Sequence, residues 1–287
     1  MLLRILTSVV LIPLVLALVW WGPPALLAAV AGVIALLALV EFFELGERLG
    51  LRAFRKWTLV CAAGLFYAQY SAGLVETYAL HEGVSLVRNT MGTIVSVETV
   101  FIVFVLGAAG ICLATRRPLG EVLPAISVSS GGLLFIGLPF SYIVRIDEIS
   151  RVGRELVLFT LILIWVGDML AYFVGRGLGR VPLAPALSPK KTWEGSIGNL
   201  LGSLVVAVFL ARWIQMDVLT LLIIAGLANV AGQIGDLLES SYKRGAGVKD
   251  SGTLLPGHGG MLDRIDSLVL ASPVVWILCQ WLVIRTP

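Results

Sequence analysis

An all-α integral membrane protein, a polytopic bundle of about nine transmembrane helices, is the fold class predicted by three features of the sequence. The chain is 58% hydrophobic, with a mean hydropathy of +0.97. Only 14% of its residues are charged, against about 25% in a soluble domain. Its apolar residues gather into runs long enough to cross a hydrocarbon core, which needs roughly 20 of them. The net charge of +3 over 287 residues gives no reason to expect a nucleic-acid partner. Cys61, Cys112 and Cys279 stand far apart in apolar runs. Without a CxxC pair or a Cys/His cluster they argue against zinc and read as small buried apolar residues.

The candidate spans lie at about 4–21, 24–41, 58–79, 97–114, 122–144, 155–175, 196–214, 217–237 and 266–284, with ends good to ~2–4 residues. The first has no small-x-small cleavage site and ends at Trp20-Trp21-Gly22-Pro23-Pro24. It reads as an uncleaved span closed by an interfacial turn. The fifth holds Ser127, Ser129, Ser130, Gly131, Gly132 and Pro139, so it is expected to be kinked or buried inside the bundle.

Lysine and arginine set the orientation. With nine spans, 15 of the 21 basic residues fall on one side, among them Arg48, Arg52, Arg55, Lys56, Arg176, Arg180, Lys190, Lys191, Lys243, Arg244, Lys249 and Arg264. The other side receives 6: Arg88, Arg145, Arg151, Arg154, Arg212 and Arg285. The N-terminus is therefore expected in the cytoplasm and the C-terminus outside. Residues 1–150 are expected to hold about five helices. Residues 151–287 form a second region with cytoplasmic loops 176–195 and 238–265. No internal repeat or soluble domain is visible.

Polar residues inside the spans are rare in the first half and concentrated in the second. Asp168 sits within the sixth span, and Asn229, Gln233 and Asp236 in or near the eighth. Charged groups in a span are expensive and mark functional positions by default. Asn229, Gln233, Asp236, Ser240 and Lys243 are spaced 4, 3, 4 and 3, which is one continuous helix face. Asp168 and Tyr172 form a shorter stripe. The bland alternative is interhelical hydrogen bonding, which fits the amides better than the aspartates.

The loop after the sixth span carries Arg176, Arg180, Ser188, Lys190, Lys191 and Thr192. Its GxGxG glycines follow no strand, so a dinucleotide fold is rejected. Its cations and hydroxyls suit phosphates, although an ordinary positive-inside loop with a helix cap would look similar. The 26 residues from Ser241 to Asp266 are denser. They combine Lys243, Arg244 and Lys249 with Asp250, Asp263 and Asp266, around the turn Pro256-Gly257-His258-Gly259-Gly260. Carboxylates suit a hard divalent ion such as Mg²⁺. Glycines 257, 259 and 260 let backbone N–H groups approach an anion. This combination describes a nucleotide–metal site at a membrane surface. His258 reads either as a phosphate donor or as a loop-shaping residue.

The stretch Ser241–Asp266 resembles the hallmark of the phosphatidate cytidylyltransferases (CDP-diacylglycerol synthases). Gln233-x-Gly235-Asp236-Leu237, Asp168-x-x-Ala171-Tyr172-x-x-Gly175-Arg176 and Leu187–Gly195 are similar to the same family. By motif the resemblance covers roughly residues 160–270. It implies CTP and phosphatidic acid as substrates, CDP-diacylglycerol and pyrophosphate as products, and Mg²⁺, with a monovalent cation such as K⁺ as a second ion. It also implies a homodimer in the inner membrane, with no nucleic-acid partner. By matched position, Asp236 and Asp263 are the first metal candidates, followed by Asp250, Asp266 and Asp168. Lys243, Arg264 and His258 join those two aspartates as expected catalytic residues. Ser188, Lys190, Lys191, Thr192, Arg244, Lys249, Gly257, Gly259 and Gly260 are expected around CTP. Two other readings compete. One is another CTP-using lipid enzyme, such as a polyprenol kinase or an ether-lipid cytidylyltransferase. The other is a transporter, whose polar residues would favour the bilayer midplane within inverted repeats.

Overall fold

The computed structural model describes residues 2–82, 95–115, 117–254 and 259–284. The helices are α1 (Leu2–Trp21), α2 (Pro24–Arg48), α3 (Arg55–Glu82), α4 (Val97–Ala114), α5 (Leu119–Asp147), α6 (Gly153–Leu178), α7 (Trp193–Ile214), α8 (Val218–Gly245) and α9 (Leu262–Cys279). Each of the nine predicted runs falls on one of them. Among the described residues, α2 and α4–α9 are long and apolar enough to cross a membrane, which makes seven. Outward-facing Leu106, Leu123 and Phe209 are 66–77% exposed, as side chains meeting lipid would be. The chain is a multi-pass membrane protein by these helices.

Two compact units divide it. Residues 1–151 and 250–262 form the first, and residues 152–249 and 263–287 the second. In the first, α2 and α3 pack on each other and on α5. Leu39, Phe43, Leu65, Leu133 and Ile136 fill the space between them. A smaller core joins Phe54, Ala108 and Ala125 with Trp57 and Ile126. Trp57 Nε1–H donates to the Phe104 carbonyl at 3.1 Å, and the Phe54 N–H donates to Ser129 Oγ at 2.8 Å. The serine-rich α5 is therefore both buried at Ser129 and irregular. Leu133–Gly137 forms a π turn just ahead of Pro139, which has no N–H to give the carbonyl four residues earlier.

In the second unit α6 and α7 pack along their length, and α8 packs on both. The approach is close because small residues line it. A Cβ on Gly198 would stand 2.8 Å from Val174, and one on Gly202 would stand 2.6 Å from Leu170. Residues 176–195, expected as plain loop, contain an antiparallel hairpin of β1 (Pro182–Ala184) and β2 (Ser188–Thr192). Pro182 faces Thr192, and Ala184 faces Ser188. Pro182, Pro185 and Pro189 break any alternating pattern, and prolines are confined to sheet edges such as these. Thr192 then caps α7, its Oγ1 accepting the Gly195 N–H at 3.1 Å. Helix α8 runs to Gly245, two turns past the predicted span end at 237, and α9 starts at Leu262 rather than 266. Hydropathy finds the apolar part of a helix, not its amphipathic ends.

Candidate active site

The site lies within the second unit and is built from α8 outward. Asn229 is 1% exposed and donates to Asn199 Oδ1 and, at 2.6 Å, to Ser203 Oγ. Gln233 Nε2 donates to Asn229 Oδ1 at 2.7 Å, and Ser196 Oγ–H donates to Gln233 Oε1. Asn199 Nδ2 donates onward to Asp168 Oδ1 at 3.1 Å. These bonds make one chain of polar groups crossing α6, α7 and α8. The amides of the predicted stripe thus do glue helices, and they also hold Asp168 in place. Asn229→Ala should lower the thermal midpoint in detergent by an amount equivalent to about 1–2 kcal/mol. A midpoint within 1 °C or so of the parent would mean the network carries no stability.

Above this network opens a cavity of about 310 Å³, lined by Asp168, Tyr172, Lys190, Lys191, Thr192, Ser196, Asn199, Gln233 and Asp236. That size falls at the small end of ligand pockets. Lys191 forms an ion pair with Asp236 across it.

At Asp236, three carboxylates of α8 and α9 gather. Oxygens of Asp236, Glu239 and Asp266 lie within 4.8 Å of one another. Gly235 allows this. A Cβ there would collide with the Asp266 carbonyl, so only glycine lets α9 approach the acidic stretch of α8. Lys243 Nζ pairs with Glu239 and sits 2.6 Å from Asp263 Oδ1. Glu239 Oε1 is buried with no hydrogen-bond donor. In total, five carboxylates (Asp168, Asp236, Glu239, Asp263, Asp266) are offset by two paired lysines, Lys191 and Lys243. An orphaned carboxylate oxygen and a surplus of carboxylates over paired lysines fit hard cations, which take oxygen ligands.

The structure therefore brings Asp168, Asp236, Asp266, Lys190, Lys191 and Thr192 to one cavity and its acidic border. It places Asp263 against Lys243. Thr192 serves as a helix cap as well as lining the cavity. Arg244 braces the hairpin, donating to the carbonyls of Leu187 at 3.0 Å and Val248 at 2.8 Å. Ser188, Lys249 and Arg264 do not line the cavity, and Lys249 and Arg264 are exposed. Asp250, Gly259 and Gly260 belong to the first unit. Gly257 and His258 lie outside the described residues. Sequence reasoning missed Glu239, Ser196, Asn199 and Ser203. Glu239 is three residues from Asp236 and four from Lys243. Ser196, Asn199 and Ser203 are spaced 3 and 4 on α7. Both patterns are helix-face signals.

Fold and site together define a multi-pass membrane protein with an acidic, lysine-bearing cleft among its C-terminal helices. Residues 2–282 match the model of the cytidylyltransferase family, and the chain belongs to that family. It is similar to a protein of Bacillus subtilis named phosphatidate cytidylyltransferase, 41% identical over 50% of this chain and 55% of that one. A Staphylococcus saprophyticus protein of the same name is 40% identical over 51% of this chain and 56% of its own length. In these two matches the chain spans about half the relative's length. A Brucella abortus protein, also so named, is 33% identical over 96% of this chain and 91% of that protein.

Proposed function

We propose that the chain transfers a cytidylyl group from CTP to phosphatidate, giving CDP-diacylglycerol and pyrophosphate, at the cytoplasmic face of the inner membrane. The observation that carries this is the joining of a lysine-bearing cavity to a carboxylate cluster, only partly offset by lysines, on apolar helices. One substrate is water-soluble and the other is fixed in lipid, so the site belongs at the membrane surface. The basic side of the chain, which holds Lys190, Lys191 and Lys243, supports the cytoplasmic side. The phosphatidate phosphate is already an anion. Its oxygen attacks the α-phosphorus of CTP, the bond from that phosphorus to the β-phosphate bridging oxygen breaks, and pyrophosphate leaves without need of a strong base. Lys190 and Lys191 bind phosphates at the cavity. Lys243 exchanges a carboxylate partner for a phosphate oxygen, and Arg264 faces the lipid head group. Arg244 and Lys249 complete the anion environment.

Asp236, Glu239 and Asp266 would hold Mg²⁺, with Asp263 and Asp168 beside them, and the ion when bound would neutralise the departing pyrophosphate. The surplus of carboxylates over paired lysines also suits a monovalent cation such as K⁺ beside the divalent one. The homodimer implied by the resemblance belongs to the same proposal and is read from the mass of the solubilised particle.

The test is direct. Purified protein with α-labelled CTP, Mg²⁺ and phosphatidic acid should place label in the lipid phase. Chelator and Asp263→Ala should both abolish it. Label transferred to a polyprenol or an ether lipid but not to phosphatidate would reassign the acceptor. Substrate-dependent flux in liposomes without labelled lipid would replace the enzyme reading with transport.

A further inference from the structure

Glu41 stands near the end of α2, far in sequence from the motifs, and only 6% of it is exposed. A carboxylate buried in an apolar helix is costly unless its oxygens are satisfied. Its donors all come from one distant segment. Ser251 Oγ–H donates to Oε2 at 2.8 Å, the Met261 N–H to Oε1 at 2.8 Å and the Leu262 N–H to Oε2 at 2.9 Å. No cation pairs with it among the described residues. A carboxylate serving only as bundle glue would engage neighbouring helices, whereas this one is spent on the loop.

The geometry has two further parts. Leu262 opens α9, and the first N–H groups of a helix have no partner within it. Glu41 supplies that acceptor and puts negative charge at the positive end of the helix. Two glycines of the loop also touch it. A Cβ on Gly252 would stand 2.6 Å from Glu41 Oε1, and one on Gly260 would overlap its carboxylate. So both ends of the segment, Ser251-Gly252 and Gly260-Met261-Leu262, close on one side chain, and only glycine fits at the two points of closest approach.

We infer that Glu41 is a positioning residue, whose carboxylate draws together the two ends of the glycine-rich loop 251–262 and sets where α9 begins. The inference rests on the proposed cytidylyl transfer for its kinetic consequence. Asp263 follows Leu262 directly, and the turn 256–260, proposed to bind an anion, lies between the pinned ends along the chain. A loop with free ends must be ordered each time a nucleotide binds.

The test uses the full chain in detergent or nanodiscs. It compares Glu41→Ala, Glu41→Asp, Gly260→Ala and the Glu41→Ala/Gly260→Ala double variant. Glu41→Ala should lower kcat/KM for CTP about 10²-fold, the order expected of lost positioning. The KM for phosphatidate should hold. Amide hydrogen exchange should quicken in residues 251–262 and not in α2 or α3. Gly260→Ala alone should lose as much. In the Glu41→Ala background it should lose little more, because the new methyl takes the space vacated by the carboxylate, and its other close neighbour, Ser251 Oγ, has lost its acceptor and can rotate aside. Glu41→Asp, one methylene short, should recover part of the activity.

Parent-like kinetics and loop exchange in Glu41→Ala would overturn the inference, as would strictly additive losses in the double variant. Where Glu41→Ala does not fold, Glu41→Gln keeps the size while setting an amide against the two backbone N–H groups, and the same two readouts decide. If the parent protein labels no phosphatidate, the proposed reaction has failed. The exchange measurement then still decides whether Glu41 orders the loop.

Discussion

Asp236→Asn should lower turnover by about 10³-fold in a protein that remains folded, the scale on which single groups stabilising transition-state charge act. The side chain sits where two sets of interactions meet. It pairs with Lys191 of β2 on the cavity side and stands within the cluster of Glu239 and Asp266 on the other. Asparagine keeps the volume and removes the charge. Lys191 is then left without its carboxylate, and the cluster exchanges one of its three charged oxygen ligands for a weaker neutral one. Both changes act on the phosphate-binding region, whereas the helix packing around Asn229 and Gly198 is untouched. Turnover should therefore fall, the Mg²⁺ concentration for half-maximal rate should rise, and the thermal midpoint should stay near that of the parent. Initial rates across a Mg²⁺ titration check this. A variant within threefold of the parent at every Mg²⁺ concentration would remove Asp236 from the chemistry.

How far the site was legible in the sequence depended on the range of its contacts. The α8 stripe could be read because all its members lie on one helix, where a spacing of 3 and 4 maps directly onto a face. Glu239 borders that face, beside Ser240, and lies past the predicted span end at 237 as Ser240 and Lys243 do. Its place shows only against Asp266, which belongs to another helix. Asn199 and Ser203 share a face of α7 with Ser196, but the sequence does not say what that face meets. Their importance comes from Asn229 and Asp168, each on another helix, and no local pattern links them. Glu41 is the extreme case, because its partners lie 210 to 221 residues away. Seven of the nine apolar runs were readable for the opposite reason, since among the described residues their helices are long and apolar enough to cross a membrane by themselves. The hairpin was not, because its strands are short, proline-bearing and defined only by pairing with each other.

Gly235→Ala tests whether the acidic cluster depends on how closely two helices approach, and it should be nearly as damaging as losing a carboxylate. The new methyl would collide with the backbone carbonyl of Asp266 and lie 3.5 Å from Leu270. A backbone oxygen cannot rotate aside as a side chain can, so α9 must shift. Overpacking of this kind costs about 1–3 kcal/mol, and the shift carries Asp266 away from Asp236 and Glu239. A displacement of about 1 Å is enough to cost 10²-fold in rate. Gly245, at the end of the same helix, is the control. A Cβ there meets nothing within 4 Å, and alanine is the better helix former by roughly 1 kcal/mol, so Gly245→Ala should leave rate and midpoint at or above the parent's. The measurement is the pair of rates with the pair of thermal midpoints, each over a Mg²⁺ titration. If Gly235→Ala loses stability but keeps full rate at saturating Mg²⁺, Asp266 stands outside the site, and Asp236 acts with Asp263 instead. If it loses rate and needs more Mg²⁺, the glycine is what brings the carboxylates of α8 and α9 to one ion.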